Sequence, residues 1–246
     1  MFDLKGKVAL LTGANGGIPR ATAALFRKLG AHLLLTDLDP AALETFAQSL
    51  PAAEARILTA RVDVTNREEV DEAVALAGRE FGGIDILVTG AGLYVEQPVT
   101  EMSDEDWRLT LGVNLDGVFY ACRAAMPVIR HGGSIVNIAS MAGHRGSVRH
   151  AHYAACKAAV LGFTRSLVHE LSPRGIRANC VSPGIIATPM TEGVMASNGA
   201  ALIANTPMRR FGSPDEVASV IAFLASDAAA FVTGETIHIN GGLYMD

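Results

Sequence analysis

Apolar residues fall along this chain in short runs, separated by longer stretches that repeat with helical period. Lys7–Thr12, His32–Thr36, Ile57–Val62, Asp85–Thr89, Ser134–Ala139 and Ile176–Val181 have the length and apolarity of strands covered on both faces. Between them, Arg20–Leu29, Pro40–Leu50, Arg67–Phe81, Glu105–Ile129 and Tyr153–Leu171 read as helices. Pro40 suits a first helical turn, where an amide has no intrahelical partner. Strands alternating with helices are joined by crossovers and so run parallel, with helices on both faces of the sheet. No linker-like composition and no internal repeat interrupts the pattern. It predicts one α/β domain over residues 1–246, a doubly wound, Rossmann-like parallel sheet. Thr188–Pro207, rich in Met, Ala and Gly, departs from the pattern and fits either a lid or a pair of surface helices.

Composition narrows the partners. With 50% apolar and 18% charged residues the chain can bury a sizeable core, which argues against disorder. Its formal charge of −5 and lack of a basic run argue against nucleic acid or an anionic membrane as partner. The apolar stretch in MFDLKGKVALLTG is too short for a secretion signal, and no segment approaches the ~18 apolar residues of a membrane span. Cys122, Cys156 and Cys180 show no paired spacing, so free thiols in a reducing cytoplasm are expected.

Two segments carry chemistry. The first strand runs into Thr12-Gly13-Ala14-Asn15-Gly16-Gly17-Ile18-Pro19, where glycines let the backbone turn toward a pyrophosphate at the next helix's N-terminus. The strict Gly-x-Gly-x-x-Gly fingerprint is absent. Asp37 ends the second strand, 20 residues beyond Gly17, where a carboxylate can accept from ribose hydroxyls and would repel a 2′-phosphate. No Arg or Lys lies in residues 13–18 or directly after Asp37, so NAD is expected rather than NADP. In the second segment, Tyr153 and Lys157 are spaced i, i+4 at a helix start and share a face. A nearby ammonium should favour the phenolate, lower the tyrosine pKa and make it an acid/base. Ser140 ends a strand at the carboxyl edge of the sheet, placed to hold a substrate oxygen.

In order and spacing these motifs resemble the short-chain dehydrogenase/reductases, from residue 8 to residue 242. Thr12-Gly13-x-x-x-Gly17 resembles their cofactor loop, Asp63-Val64 their adenine-bracketing pair, and Pro183-Gly184 with Ile186-Ala187-Thr188 their nicotinamide-gripping loop. Asn114, Ser140, Tyr153 and Lys157 match the catalytic set, including a thirteen-residue spacing from Ser140 to Tyr153. Arg209–Ala218 and Gly234–Gly242 complete the likeness. The resemblance implies hydride transfer at nicotinamide C4. Tyr153 would carry the proton, Ser140 would hold the substrate oxygen, Lys157 would bond the nicotinamide ribose, and Asn114 would place a water behind Lys157. It further implies NAD contacts at Gly13, Asn15, Gly17, Ile18, Asp37, Leu38, Asp63, Val64, Gly90, Ala91, Gly92, Tyr153, Lys157, Pro183, Gly184, Ile186 and Thr188, and a homotetramer packed through the helices of Asn114 and Tyr153.

Two positions depart from the family pattern. Pro19 replaces a loop glycine, adding bulk and removing an N–H beside the pyrophosphate, so weakened cofactor binding is expected. Thr89-Gly90-Ala91-Gly92 replaces Asn-Asn-Ala-Gly, removing an asparagine that ties neighbouring strands. The cluster His144, Arg145, Arg149, His150, His152 predicts either a pocket for a hydroxylated or anionic substrate or groups facing solvent or a neighbouring subunit. No carboxylate or cysteine joins His150-x-His152 at a metal-site spacing, so no metal is expected. Cys156 reads as a small buried side chain, with a redox switch as the sharper alternative. Trp107, Met190, Met195 and Met208 could line a lid, with core packing an equal alternative for Trp107.

The leading functional reading is an NAD-dependent dehydrogenase of a small polar secondary alcohol or its ketone, such as a polyol, sugar or oxo acid. An alternative is a 3-oxoacyl-carrier-protein reductase, with Arg130 and Arg174 docking the acidic carrier; that class usually uses NADPH and has a basic residue where Asn15 stands. A third reading, a non-catalytic dinucleotide sensor, sits poorly with an intact catalytic set.

Overall fold

The computed structural model describes residues 2–245, and its centre is one seven-stranded sheet, parallel at every pairing. The elements in chain order are β1 (Val8–Thr12), α1 (Gly17–Lys28), β2 (His32–Asp37), α2 (Pro40–Ser49), β3 (Ile57–Arg61), α3 (Arg67–Phe81) and β4 (Ile84–Thr89). Then come α4 (Asp104–Leu111), α5 (Gly117–Ala125), β5 (Ile129–Ile138), α6 (Ala142–Arg145), α7 (Ala151–Leu171), β6 (Arg177–Pro183), α8 (Glu192–Asn205), α9 (Pro214–Ala225) and β7 (Thr236–Ile239). Strand order is β3-β2-β1-β4-β5-β6-β7. The winding reverses between β1 and β4, which opens a crevice at their carboxyl ends.

Strand periodicity divides the core into two layers. Leu10, Leu34 and Leu87 point to the face covered by α3, α5 and α7, while Ala9, Leu11, Leu33, Leu35, Ile86 and Val88 point to the face covered by α1, α2 and α9. Burying each Leu or Ile contributes about 1.5–3 kcal/mol. The peripheral helices are closed by side chains. Asp39 caps α2, Asn66 caps α3, and Ser213 with Glu216 forms a capping box on α9. Helix α1 starts with no side-chain cap.

The predicted helix Glu105–Ile129 is interrupted. After α4 the chain makes a π-helical turn at Gly112–Asp116 before α5, and Ile129 already belongs to β5, opposite Ile84. The wider turn inserts a residue and turns Asn114 fully inward. Strand β7 and helices α6, α8 and α9 add to the predicted elements. Helix α8 buries no residue and is kinked at Asn198, so Thr188–Pro207 is a surface helix preceded by a short 3₁₀ turn, Pro189–Thr191. Among the described residues, no helix is long and apolar enough to cross a membrane.

Candidate active site

Every residue assigned to chemistry reaches the same carboxyl edge. Thr12, Thr89 and Asn137 stand in one row across β1, β4 and β5. The Thr12 hydroxyl oxygen accepts from the amide of Gly90 at 3.1 Å, drawing the turn after β4 against β1. Gly13 (φ +64°) packs on this turn, and a Cβ there would lie 2.5 Å from Ala91 Cα. Only glycine permits that approach.

Beyond this row lie three confluent cavities. The first, about 420 Å³, is lined by Gly13, Asn15, Asp37, Leu38, Asp63, Val64 and Gly90–Gly92. The second, about 180 Å³, is lined by Gly17, Ile18, Asn114, Ser140, Tyr153, Lys157, Pro183, Gly184, Ile186 and Thr188. Asn15, Gly16, Gly90–Gly92 and Met190 line both. Together they bring all of the predicted cofactor residues onto one trough. The Asp37 carboxylate accepts from Asn15 N at 2.9 Å and Asp39 N at 3.2 Å, which fixes it at the adenosine end. The first-turn amides of α1 have no intrahelical acceptor and no side-chain cap, so donors suited to a pyrophosphate stand midway along the trough. The residues fit a dinucleotide.

The third cavity, about 850 Å³, meets the second at Ser140, Tyr153, Gly184, Met190 and Thr191. Lys157 is buried and its Nζ donates to Ile138 O at 2.8 Å, 5.6 Å from the centre of the Tyr153 ring. Burial pushes the Tyr153 phenol up to about 12, against a hydrogen bond with Ser140 that pulls it down. Burial also draws the Lys157 ammonium down to about 8. The predicted depression of the tyrosine pKa is therefore not realised: desolvation of the phenolate outweighs its neighbours. The phenol is neutral across the physiological range, the form that donates a proton to a carbonyl. Asn114 donates through Nδ2 to Leu93 O at 3.1 Å and Thr110 O at 3.0 Å, and accepts from Leu93 N at 3.2 Å. It holds the strand-β4 loop against the π-helical turn.

The two departures from the family pattern meet in space. A Cβ on Gly90 would stand 2.5 Å from Pro19 Cγ, so the proline ring occupies the place of a side chain at residue 90. Arg20 N makes the bond to Gly16 O that begins the helical ladder, so the N–H missing from Pro19 belonged to a position without an intrahelical acceptor. The Pro19 ring is thus accommodated in the space that Gly90 leaves open. The strand tie is also replaced: buried Thr89 donates through Oγ1 to Asn137 Oδ1 at 2.8 Å.

The His/Arg cluster separates into distinct places. Arg145 and His150 line the large cavity. Arg149 (φ +63°) pairs with Glu96 at 2.5 Å, His144 packs on His238 and Tyr244, and His152 is fully buried. The His150 ring stacks on Tyr94 at 3.9 Å, and Tyr94 meets Tyr153 edge-on at 4.8 Å. Sequence reasoning missed Tyr94 because its partners lie more than fifty residues away in the chain. Met190 lines all three cavities, whereas Trp107 lines none of them and is 40% exposed on α4. Arg130 bonds Asp85 and Phe81 O, and Arg174 bonds Met126 O and Ile129 O, at the amino ends of the strands. Both guanidiniums are committed to the fold, on the edge away from the site. The Cys156 thiol, pushed up to about 11 by burial, carries no thiolate at neutral pH.

A family model described as "Enoyl-(Acyl carrier protein) reductase" matches residues 13–244. The chain is 39% identical over 244 residues to the 3-oxoacyl-[acyl-carrier-protein] reductase FabG of Thermotoga maritima, covering 98% of this chain and 99% of that protein. It is 41% identical to Nodulation protein G of a Rhizobium species over the full length of both. A crystal structure of a short-chain dehydrogenase/reductase from Brucella melitensis, described as a glucose/ribitol dehydrogenase, superposes with a TM-score of 0.97 at 51% identity, covering 100% of this chain and 99% of that one.

Proposed function

The chain belongs to the short-chain dehydrogenase/reductase family, and from that premise we propose that it moves hydride reversibly between a nicotinamide dinucleotide and the carbinol carbon of a secondary alcohol or its ketone, with a 3-oxoacyl thioester as the ketone. The observation that carries the reading is the junction of the narrow cavity with the large one, at which Ser140 and Tyr153 stand together. The dinucleotide supplies the hydride. Ser140 donates a hydrogen bond to the ketone oxygen, and Tyr153, held neutral by burial, delivers the proton to that oxygen. Lys157 stabilises the phenolate left behind and orients the nicotinamide ribose. Asn114 acts as a positioning residue: one lone pair of its Oδ1 is spent on Leu93 N and the other serves a water in the proton path.

The thioester is preferred because relatives that bear the name of a 3-oxoacyl reductase match over nearly the whole chain. Carrier docking through Arg130 and Arg174 is not part of the proposal, since both are engaged elsewhere. A polyol or sugar is the second reading, favoured by the 51% identical glucose/ribitol dehydrogenase from Brucella melitensis and by the Tyr94 and Ser147 hydroxyls at the cavity wall. NAD is the proposed cofactor, because Asp37 would face a 2′-phosphate with like charge. We further propose a cytoplasmic homotetramer, in which the exposed Trp107 and Phe119 on α4 and α5 become covered.

The test is absorbance at the nicotinamide band with an acetoacetyl thioester, ribitol and glucose, each with both cofactors. Reduction of the thioester at the highest kcat/KM, with NADH favoured at least about tenfold over NADPH (about 1.4 kcal/mol), is expected. Turnover of none of the three overturns the reaction, and equal efficiency with both cofactors overturns the assignment of Asp37.

A further inference from the structure

We propose that Arg145 is a specificity-determining residue that binds an oxyanion, a carboxylate or phosphate, carried by the substrate at a distance from its reacting carbon. The inference rests on the proposed reaction for the identity of the site and adds the charge of the substrate.

The large cavity is lined by one permanent cation, Arg145, and one carboxylate, Glu96. Their situations differ. Glu96 is neutralised from outside the cavity by Arg149 at 2.5 Å. The Arg145 side chain makes no hydrogen bond or ion pair with any described residue, its backbone N–H alone donating to Met141 O, although its guanidinium offers five donors in a plane matched to an oxyanion. The formal charge left over in the cavity is therefore positive and localised at Arg145. The wall also presents the hydroxyls of Tyr94, Ser140, Ser147, Tyr153, Thr191 and Ser197, the Asn198 amide and the His150 ring.

Position supplies a length. Arg145 closes α6, the short helix that starts just after Ser140. At 1.5 Å per residue the five steps from Ser140 set its backbone on the order of 7–8 Å away. The arginine side chain extends the reach further. A carboxylate adjacent to the ketone carbon would sit too close to Ser140 to use it. The guanidinium instead suits an anionic group several bonds away: the far carboxylate of an oxo acid, or a phosphate on a longer chain.

Matched pairs of ketones test this. One pair is 4-oxopentanoate and its methyl ester, which differ in a carboxylate. The other is acetoacetyl-coenzyme A and acetoacetyl-N-acetylcysteamine, which differ in the phosphates. Wild type, Arg145→Met and Arg145→Lys are compared by kcat and KM with NADH. In wild type the anionic member of a pair should be favoured, and Arg145→Met should reduce that preference at least tenfold, acting mainly through KM. Arg145→Lys should restore part of it. The pair that responds identifies carboxylate or phosphate as the source. Equal preference in wild type and Arg145→Met, for both pairs, overturns the inference. Calorimetric binding of the same ketones to the NADH-saturated protein separates it from the proposed reaction. Arginine-dependent anion preference without turnover refutes the reaction alone, and turnover without preference refutes this inference alone.

Discussion

Pro19 and Gly90 should behave as one unit. The Cβ of Gly90→Ala would lie 2.5 Å from Pro19 Cγ and 2.9 Å from the carbonyl oxygen of Thr12, against the ~3.5–4.0 Å at which carbon atoms rest. Overpacking of this kind costs about 1–3 kcal/mol, partly offset by the ~0.4–1 kcal/mol that replacing a glycine gains by restricting the unfolded chain. A net loss of about 1–2 kcal/mol is expected, a fall in Tm of roughly 2–8 °C for a chain of this size. With Pro19→Gly in the background the closest contact disappears and only the Thr12 oxygen remains, so Gly90→Ala should cost much less. The double-mutant cycle should show a coupling of about 1 kcal/mol or more. Thermal melts of the four proteins at one fixed protein concentration supply the cycle, the fixed concentration removing the mass-action contribution of assembly. NADH titrations on the same four report the cofactor trough. Pro19→Gly alone should not tighten NADH binding, because the ring fills space beside the trough that glycine would leave open. Additivity within about 0.3 kcal/mol would refute the packing argument, and tighter binding by Pro19→Gly would restore the crowding expected from sequence.

Three further outcomes are expected. Tyr153→Phe should retain the fold and NADH binding, read by circular dichroism and fluorescence titration, while lowering kcat by orders of magnitude; more than about a tenth of wild-type turnover would rule the phenol out as proton donor. Lys157 is drawn down to about 8 and its charge stabilises the phenolate formed during reduction, so the kcat/KM of ketone reduction should stay level below that pH and fall above it. The fall should vanish in Lys157→Met, and an unchanged profile in that variant would contradict the role. Light scattering at micromolar concentration should give about four times the chain mass, and Trp107→Glu or Phe119→Glu, placing a charge on an exposed apolar position, should shift it toward smaller species.

What could be read in advance divides along local and non-local lines. The buried strands and the i, i+4 pairing of Tyr153 with Lys157 are properties of short windows, and the structure reproduces them. The π-helical turn at Gly112–Asp116 was hidden because Val113 and Leu115 continue an apolar rhythm that conceals an inserted residue. The amino end of β5 was hidden by Arg130, His131, Gly132 and Gly133, a polar stretch with a register shift opposite β4. The depressed tyrosine pKa failed for a different reason. Spacing reveals the neighbouring charge, whereas the desolvation that outweighs it comes from walls contributed by many segments. Tyr94, stacked on His150 and edge-on to Tyr153, belongs to the same class.

Helix α8 places Val194, Asn198 and Leu202 on the large cavity yet contributes no buried residue to either core layer. Stability is therefore anchored in one part of the chain, and one wall of the substrate space is supplied by another. Substitutions on this helix can drift without crossing a folding threshold, so lineages can exchange one ketone for another while Ser140, Tyr153 and Lys157 stay fixed. For the engineer the same separation marks a segment that tolerates randomised libraries, in which loss of activity on one compound reports altered recognition rather than an unfolded protein.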